Sequence, residues 1–390
     1  MIDKLFFLSY VCEYVFSAII MSNSLHPNSL NRQTQQGIFY HVGYAMVDPV
    51  TFVENTLDTI WNQKMVGAIY ETFAPGIRVH RSSQEELYGQ ESLMVEIVER
   101  LAAFPDLRLT IENIIWQGSA EQGYRVSVRM NFAGHNLGVS RYGAATHREF
   151  QQAALMDGRI MNGRFVEIWV AEDERSLVEQ LGHDPLDAMR SLETLDLFAG
   201  KSVMFDTPAS MSDVRREQSS RLSLDDIATL QLASLDAVQQ VLSALWNERQ
   251  IGVCERFYRD DFTCHWASNR QLTGRADYQA VVLGQLAAFP DLTFHVDDLI
   301  EQQRDDGWHV AVSWMMLGTH AGPSAYGIPS GKHVQIGGIS QYVIQNQKFV
   351  SERTEWNEFR LIQKIMVRPV VYEQQEDREF SPIDKEKDHD

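Results

Sequence analysis

The stretch EIWVAED, at residues 167–173, carries residue types whose spacing could support proton transfer. On an extended strand Glu167, Trp169 and Asp173 would share one face, because side chains alternate between the two faces of a strand. A carboxylate and an indole on that face could line one cavity, and apolar surroundings would make the carboxylate a stronger base. Alternatively, Asp173 caps the helix predicted at residues 176–181, since aspartate is a preferred N-cap residue. The two roles are compatible.

Two further candidates for acid or base chemistry lie in the second half of the chain. His320, in the stretch GTHAG, could donate a hydrogen bond to a substrate carbonyl or exchange a proton near neutral pH. Its structural alternative is to hold the loop that follows it. Glu355 lies on a predicted strand and could serve as a base by its position alone. Its alternative is a surface carboxylate paired with Arg353.

Three basic side chains could bind a substrate beside Trp169. Arg129 could clamp an anionic substrate or orient Glu167, or it could be an ordinary surface arginine. His80 and His265 each end an extended segment, where they could donate to a ligand or serve a structural role. The histidines are otherwise scattered singly and the chain has no HxH or HExxH motif, so no metal site is expected.

A long internal repeat organises the elements that must position these residues. The sequence LAAFPDL occurs at residues 101–107 and again at 286–292, a separation of 185 residues. The same shift places His80 on His265. Solenoid repeats span roughly 20–50 residues, so a period this long indicates that each copy is a complete domain with its own core.

Two domains therefore account for most of the chain. The predicted organisation is a disordered or misassigned leader at 1–45, a first domain at 46–182, a linker at 183–225, a second domain at 226–366 and an acidic disordered tail at 367–390. The linker should be exposed, with a short helix near residues 186–197. Limited proteolysis is expected to cut the linker first, and equal cutting inside both domains would contradict this boundary.

Each copy begins with helical patterns and continues with strand patterns. Apolar residues recur at helical spacing at Val238, Val241 and Leu245, and Phe-Pro-Asp ends the third helix because proline cannot continue it. Residues 107–111 and 124–130 then alternate between apolar and polar types, as strands do. Helices followed by an antiparallel meander predict an α+β fold, in which a curved sheet wraps around helices and encloses a pocket.

Several motifs resemble those of the SnoaL-like polyketide cyclases, within the NTF2-like superfamily. GTHAG at residues 318–322 and YGIPSGK at 326–332 resemble the GTHxG…GxPxTG signature, and GRFVEIW at 163–169 is similar to the close of the family pattern. The resemblance implies two tandem NTF2-like cones, each a curved antiparallel sheet wrapped around helices. Neither copy keeps the whole pattern, because the first has GHNLG in place of GTHxG and the second has Asn357 in place of Asp173.

The resemblance also implies a reaction. SnoaL-type enzymes are cofactor-free aldol cyclases, and Asp173 matches the family's base, so the first hypothesis is a cofactor-independent cyclase or isomerase acting on a small carbonyl compound. A hydrolase of the same fold is a related reading. The alternative from another class is a tandem ligand-binding or assembly module without turnover. If Asp173 is the base, Asp173→Asn should lower turnover about 100-fold with folding unchanged, whereas a capping role predicts lost stability instead.

Composition limits the partners. With 53 acidic and 34 basic residues the formal charge is −19, which disfavours nucleic acid and leaves a small molecule or a protein as the partner. The three cysteines lack CxxC spacing, which is typical of a reducing, cytoplasmic protein. The apolar run at residues 5–20 is short for a membrane span and contains Glu13, so no membrane association is expected. The two domains are predicted to pair as an intramolecular pseudo-dimer, with a homo-oligomer as a further possibility.

Overall fold

Two six-stranded sheets, one in each half of the chain, form the framework of the protein. The computed structural model describes residues 48–82, 85–198 and 223–366. In each half, helices and a two-stranded hairpin come first and a four-stranded antiparallel meander follows, which confirms the predicted α+β class.

The first half combines short helices, one long helix and six strands. In chain order these are α1 (Pro49–Leu57), a π-helical turn (Asp58–Asn62), a 3-10 turn (Val66–Ala68), α2 (Ile69–Thr72), β1 (Phe73–Arg81), β2 (Glu86–Tyr88), α3 (Gln90–Ala103), β3 (Arg108–Ser119), β4 (Gly123–His135), β5 (Glu149–Met161), β6 (Arg164–Glu172) and α4 (Glu174–Gln180).

The second half repeats this order after a connecting helix. Its elements, with that helix, are α5 (Pro185–Phe198), α6 (Leu224–Thr229), α7 (Leu235–Trp246), α8 (Val253–Phe257), β7 (Tyr258–Trp266), β8 (Arg270–Thr273), α9 (Arg275–Ala288), β9 (Thr293–Arg304), β10 (Gly307–Thr319), β11 (His333–Gln345), β12 (Lys348–Trp356) and α10 (Glu358–Met366).

Strand order is the same in both sheets. It runs β2-β1-β6-β5-β4-β3 in the first and β8-β7-β12-β11-β10-β9 in the second. The sheets are antiparallel as predicted, except that β1 pairs with β6, and β7 with β12, in parallel. A parallel pair requires a long connection between its strands, and here the third helix and the four intervening strands provide it.

The third helix of each half has the same ends, as the repeat predicts. α3 follows Gly89, whose φ is 89°, and α9 follows Gly274, whose φ is 92°, and only glycine adopts this region without strain. Phe104 and Phe289 follow the last helical residue with nearly the same backbone angles. The proline after each phenylalanine prevents the helix from continuing.

Each sheet buries an apolar core against its helices. Val53 of α1 and Phe165 of β6 are fully buried in the first half, and Val241 of α7 and Phe349 of β12 are fully buried in the second. Each such side chain contributes about 1.5–3 kcal/mol through removal of apolar surface from water. The helical and alternating patterns in the sequence therefore identify the inner faces correctly.

The two halves pack through the outer faces of their sheets. Ile115 of β3 meets Ile300 of β9 in a small apolar cluster. Gln341 of β11 accepts a 3.0 Å hydrogen bond from Asn113 Nδ2 and donates one of 3.0 Å to Ser127 Oγ. The sheet-to-sheet pairing matches the arrangement expected for a covalent pseudo-dimer.

The connecting helix α5 corrects one prediction. The sequence predicts an exposed connector with a short helix. The helix is present, but the connector is not exposed along its whole length: Ala188, Met189 and Leu192 are buried in the core of the second half. Gln363 of α10 also donates a 2.8 Å hydrogen bond to the Met189 carbonyl oxygen. The apolar side of this helix is buried because it covers α10.

The remaining predictions about connecting and terminal segments fall outside the described residues. These are the leader at 1–45, the rest of the linker at 199–222 and the acidic tail at 367–390. Across the helices that the structure does describe, none combines the length and apolar character needed to cross a bilayer.

Candidate functional site

Charged side chains fill part of the concave interior of the first sheet. Arg100 of α3 donates a 2.5 Å hydrogen bond to Glu172 and another to Gln152, and its guanidinium lies 4.3 Å from the ring centre of Phe132. Burial alone would raise the pKa of Glu172, but Arg100 and Arg81 outweigh it and lower that pKa. Glu172 is therefore held as an ion pair, which makes it a poor base.

The interior of the second sheet is apolar at the same place. Trp266 and Trp356 line a cavity of about 10 Å³, which is roughly the space of one water molecule. The corresponding residues of the first half are Arg81 and Glu172. The two interiors have thus diverged, one to ion pairs and the other to packed indoles.

A buried carboxyl group lies in the core of the second half. Glu352 of β12 is 3% exposed and stands where the first half has Ile168. The Thr354 hydroxyl donates to its Oε1, and the Tyr342 hydroxyl lies 3.4 Å from the same atom. Burial raises the pKa of Glu352 to about 7, and these hydroxyl groups only partly oppose it.

Asp173 lies at the junction between the halves and caps a helix. Its Oδ1 accepts the Ser176 backbone N–H at 3.1 Å, which confirms the predicted cap of α4, and its Oδ2 accepts the Asn269 backbone N–H at 2.8 Å. Asn269 belongs to the second half. Burial raises the pKa of Asp173, although these backbone bonds oppose the effect. Both oxygens are engaged, so the structure favours the capping alternative over a free base.

Asp173→Asn is expected to reduce stability rather than turnover. An amide has one accepting oxygen, so one of the two backbone N–H groups loses its partner, at a cost of about 1–2 kcal/mol in unfolding free energy. Urea unfolding measures the loss. Asp48→Asn is the matched control, because Asp48 caps α1 at the surface with a single 2.9 Å backbone bond. If Asp173→Asn left stability unchanged but abolished turnover, Asp173 would be the base and not only a helix cap.

His320 is fully buried and holds the loop that follows it. Its Nε2 lies 2.9 Å from Ser324 Oγ and its Nδ1 lies 3.2 Å from Ser330 Oγ. Burial lowers the pKa of this imidazole. The corresponding residue of the first half, Asn136, holds the equivalent loop by accepting the Thr146 backbone N–H at 2.9 Å. Both halves therefore support the structural role of His320, which is to hold the loop that follows it.

A larger cleft lies between the two halves. Its volume is about 150 Å³, and both sheets contribute to its walls. Its lining includes His80, Glu86 and Trp169 from the first half and Asp297, Ser313 and Trp314 from the second. The Gly337 backbone N–H donates a 3.2 Å hydrogen bond to the Ser82 carbonyl oxygen and joins the two walls.

His80 lies on the wall of this cleft between two carboxylates. Its Nε2 is 2.9 Å from Glu167 Oε1 and its Nδ1 is 3.0 Å from Glu86 Oε1. Glu167 is buried, whereas the Glu86 side chain is 70% exposed and lines the cleft. A ligand can therefore displace Glu86 from Nδ1 while Glu167 keeps the ring oriented from behind.

Glu167 and Trp169 share one face of β6, as the alternation predicts, and both contact His80. The imidazole stacks on the Trp169 indole with ring centres 5.0 Å apart. Two arginines hold Glu167, Arg78 at 3.2 Å and Arg159 at 3.3 Å. The interpretation that Arg129 orients Glu167 is wrong, because Arg129 lies on β4 and pairs with Glu112 instead.

The pseudo-equivalent position on the other side of the interface carries a charged cluster. Its members, with their counterparts in the cleft, are His265 for His80, Arg353 for Trp169, Glu355 for Ala171, Arg129 for Ser313 and Glu112 for Asp297. Arg129 Nε lies 3.0 Å from Glu112 and Arg353 Nε lies 3.0 Å from Glu355. Burial lowers the pKa of His265, and Arg353 and Arg129 lower it further.

Glu355 is paired with Arg353 as the sequence suggested, but it is not at the surface. It is 2% exposed, and burial raises its pKa to about 8. Arginine in place of serine and glutamate in place of alanine add bulk on this side of the interface. The structure therefore places Arg129, His265 and Glu355 on this side of the interface, where two ion pairs form, and separates them from His80, Glu167 and Trp169.

Asp297 and Glu352 are two carboxylates that sequence reasoning did not single out. Asp297 belongs to a pair of adjacent carboxylates in FHVDDLI, where two charges interrupt an apolar strand. Glu352 stands two residues before Thr354 and four before Trp356, and so on the core-facing side of β12. A carboxylate at an inward-facing position is the signal that could have identified it.

One protein family matches both halves of this chain. A family model described as SnoaL-like polyketide cyclase matches residues 51–181 and 236–365, more than half of the chain. Among solved structures, TsrD from Streptomyces laurentii is 22% identical over 35% of this chain and 98% of its own, with a TM-score of 0.31. IdmH from Streptomyces antibioticus is 23% identical over 35% of this chain and 99% of its own, with a TM-score of 0.30. A search of curated proteins gives no match.

Proposed function

Because this chain belongs to the SnoaL-like polyketide cyclase family, we propose that it catalyses cofactor-independent proton transfer on a small carbonyl compound, in the cleft between its halves. The observation that carries this proposal is His80, an imidazole on the wall of a cleft of about 150 Å³, with a buried carboxylate on the side away from the opening. Imidazole can accept and donate a proton near neutral pH.

The chemistry follows from the two ring nitrogens. With Glu86 displaced, neutral His80 keeps its Nε2 hydrogen bonded to Glu167 and presents the Nδ1 lone pair to the cleft. Nδ1 takes a proton from the carbon next to a carbonyl group, which leaves an enolate. The negative charge of Glu167 stabilises the imidazolium that forms, as carboxylates do in catalytic triads.

The fate of the enolate decides the product. Return of the proton from His80 to a different carbon gives an isomer. Attack of the enolate carbon on a second carbonyl of the same molecule closes a ring, and the proton from His80 then neutralises the alkoxide. Both outcomes balance without an oxidant, a reductant or a cofactor.

Deuterium exchange tests this proposal even while the natural substrate is unidentified. The full chain is incubated in D2O with a panel of small ketones and aldehydes, and NMR records the loss of protons next to the carbonyl group. We expect at least one compound to exchange faster with the protein than with buffer alone. No enhancement across compounds that fit a cleft of about 150 Å³ would overturn the proposal.

A second candidate is a tandem binding module without turnover. It is favoured by Asp173, the residue that matches the family's base, because both of its oxygens already accept backbone hydrogen bonds. The panel distinguishes the two candidates: a compound that binds in calorimetry but exchanges no faster than in buffer would support the binding module.

A further inference from the structure

The carboxylate of Asp297 stands at a β-bulge on the wall of the cleft. The ladder between β9 and β10 skips Asp297, which is therefore the extra residue of the bulge. The first half has the same bulge at Glu112, in the ladder between β3 and β4. Bulges re-aim a side chain and are common beside functional sites. Both halves thus direct a carboxylate out of regular strand pairing at the same place.

The two bulged carboxylates differ in their partners. Glu112 is neutralised by Arg129, whose Nε lies 3.0 Å away. The position of Arg129 in the second half is occupied by Ser313, whose hydroxyl donates to Asp157 instead. In the ranges 48–82, 85–198 and 223–366, the Asp297 carboxylate has neither a hydrogen bond nor an ion pair. The substitution of serine for arginine leaves one carboxylate of the cleft uncompensated.

The two basic side chains of the cleft wall are already engaged elsewhere. Arg81 pairs with Glu172 at 3.7 Å and with a second carboxylate on α3, and His80 contacts Glu167 and Glu86. Asp297 is exposed on the wall of the cleft, but the atoms around it remove part of its hydration, and this desolvation raises its pKa to about 6. The adjacent carboxylate of Asp298 raises that pKa further. A positively charged group from outside the protein would offset both the desolvation of Asp297 and the repulsion from Asp298.

We propose that the cleft binds a small organic molecule through a protonated amino group, with Asp297 as the counter-ion. A volume of about 150 Å³ accommodates a ring of roughly the size of benzene. Trp169 and Ile339 supply apolar wall for that ring. The inference names the substrate class of the proposed site, an amine-bearing carbonyl compound, and rests on the proposed function only in treating the bound molecule as a substrate.

Calorimetry with two ligands of matched shape tests the charge requirement. Benzylamine is a cation at pH 7.5 and benzyl alcohol is neutral, and both are titrated into the full chain. We expect benzylamine to bind at least about tenfold more tightly, the difference that one charge-assisted contact makes. Equal affinities, or no binding of either, would overturn the inference.

Two variants then locate the contact. Asp297→Asn should reduce benzylamine affinity to that of benzyl alcohol, while Asp305→Asn, at an exposed turn outside the cleft, should leave it unchanged. Ser313→Arg supplies the arginine that the first half has at this position, and should abolish benzylamine binding with Asp297 intact. Benzylamine affinity unchanged in both Asp297→Asn and Ser313→Arg would place the amine elsewhere and overturn the inference.

The outcome is separable from that of the proposed function. Charge-selective binding without any enhanced deuterium exchange would support Asp297 and overturn the catalytic proposal. Enhanced exchange of neutral ketones with no preference for the amine would do the reverse.

Discussion

His80→Gln is expected to lower carbonyl-dependent deuterium exchange by about 100-fold or more, the range for removal of a general acid–base group. Glutamine has a similar length and can still donate a hydrogen bond to Glu167, but it cannot carry a proton to and from a substrate. Glu167 also keeps its contacts with Arg78 and Arg159. Stability should therefore change little, which a thermal melt checks alongside the exchange rate.

The control for this variant is another histidine paired with a carboxylate. His135 Nδ1 lies 2.7 Å from Asp106 Oδ2, and both side chains are exposed outside the cleft. His135→Gln should leave the exchange rate unchanged. If His80→Gln retains full exchange, the proton acceptor lies elsewhere, and the two cores and the Asp173 junction become the places to search.

Glu352→Gln is expected to stabilise the protein above pH 7 and to remove part of its pH dependence. The folded pKa of Glu352, about 7, lies above the ordinary value of 4.5, because burial disfavours the carboxylate. The contribution of Glu352 to the unfolding free energy is therefore fully present below about pH 4.5 and is lost as the pH rises through 7. A difference of this size corresponds to a loss on the order of 3 kcal/mol. Glutamine has no charge to bury and should not show that loss.

Urea unfolding at pH 4.5 and pH 8 measures this contribution. The wild-type protein should lose more stability than Glu352→Gln between the two values. Glu121→Gln removes a carboxylate from an exposed turn and should follow the wild-type protein. Equal pH dependence in wild type and Glu352→Gln would mean that Glu352 is not buried as a neutral acid.

Local patterns in the sequence determine most of the fold. LAAFPDL and its second copy specify the helix end and the turn into β3 or β9 through chemistry confined to a few residues, chiefly the proline. The alternation around residues 124–130 and 164–172 likewise assigns side chains to one face or the other, because it depends only on strand geometry. The repeat then implies a second domain with the same core.

Residues distant in the sequence decide the site. Alternation places Glu167 and Trp169 on one face, but only the parallel pairing of β1 with β6 brings His80 beside them. Asp173 directly follows β6, but its Oδ2 accepts a hydrogen bond from the backbone of Asn269, a residue of the other half. Such contacts depend on how two folded surfaces meet, and no periodicity within one segment encodes that meeting.

The same reason explains why one side of the interface keeps a cleft. Ser313 and Arg129 occupy equivalent strand positions, and each type is ordinary for a strand when considered alone. Serine leaves Asp297 facing open volume, whereas arginine at the equivalent position pairs with Glu112 of the bulge. The sequence by itself determined two similar domains, while packing between their outer faces decided where a cavity remains, because side-chain volume and charge act there across residues far apart in the chain.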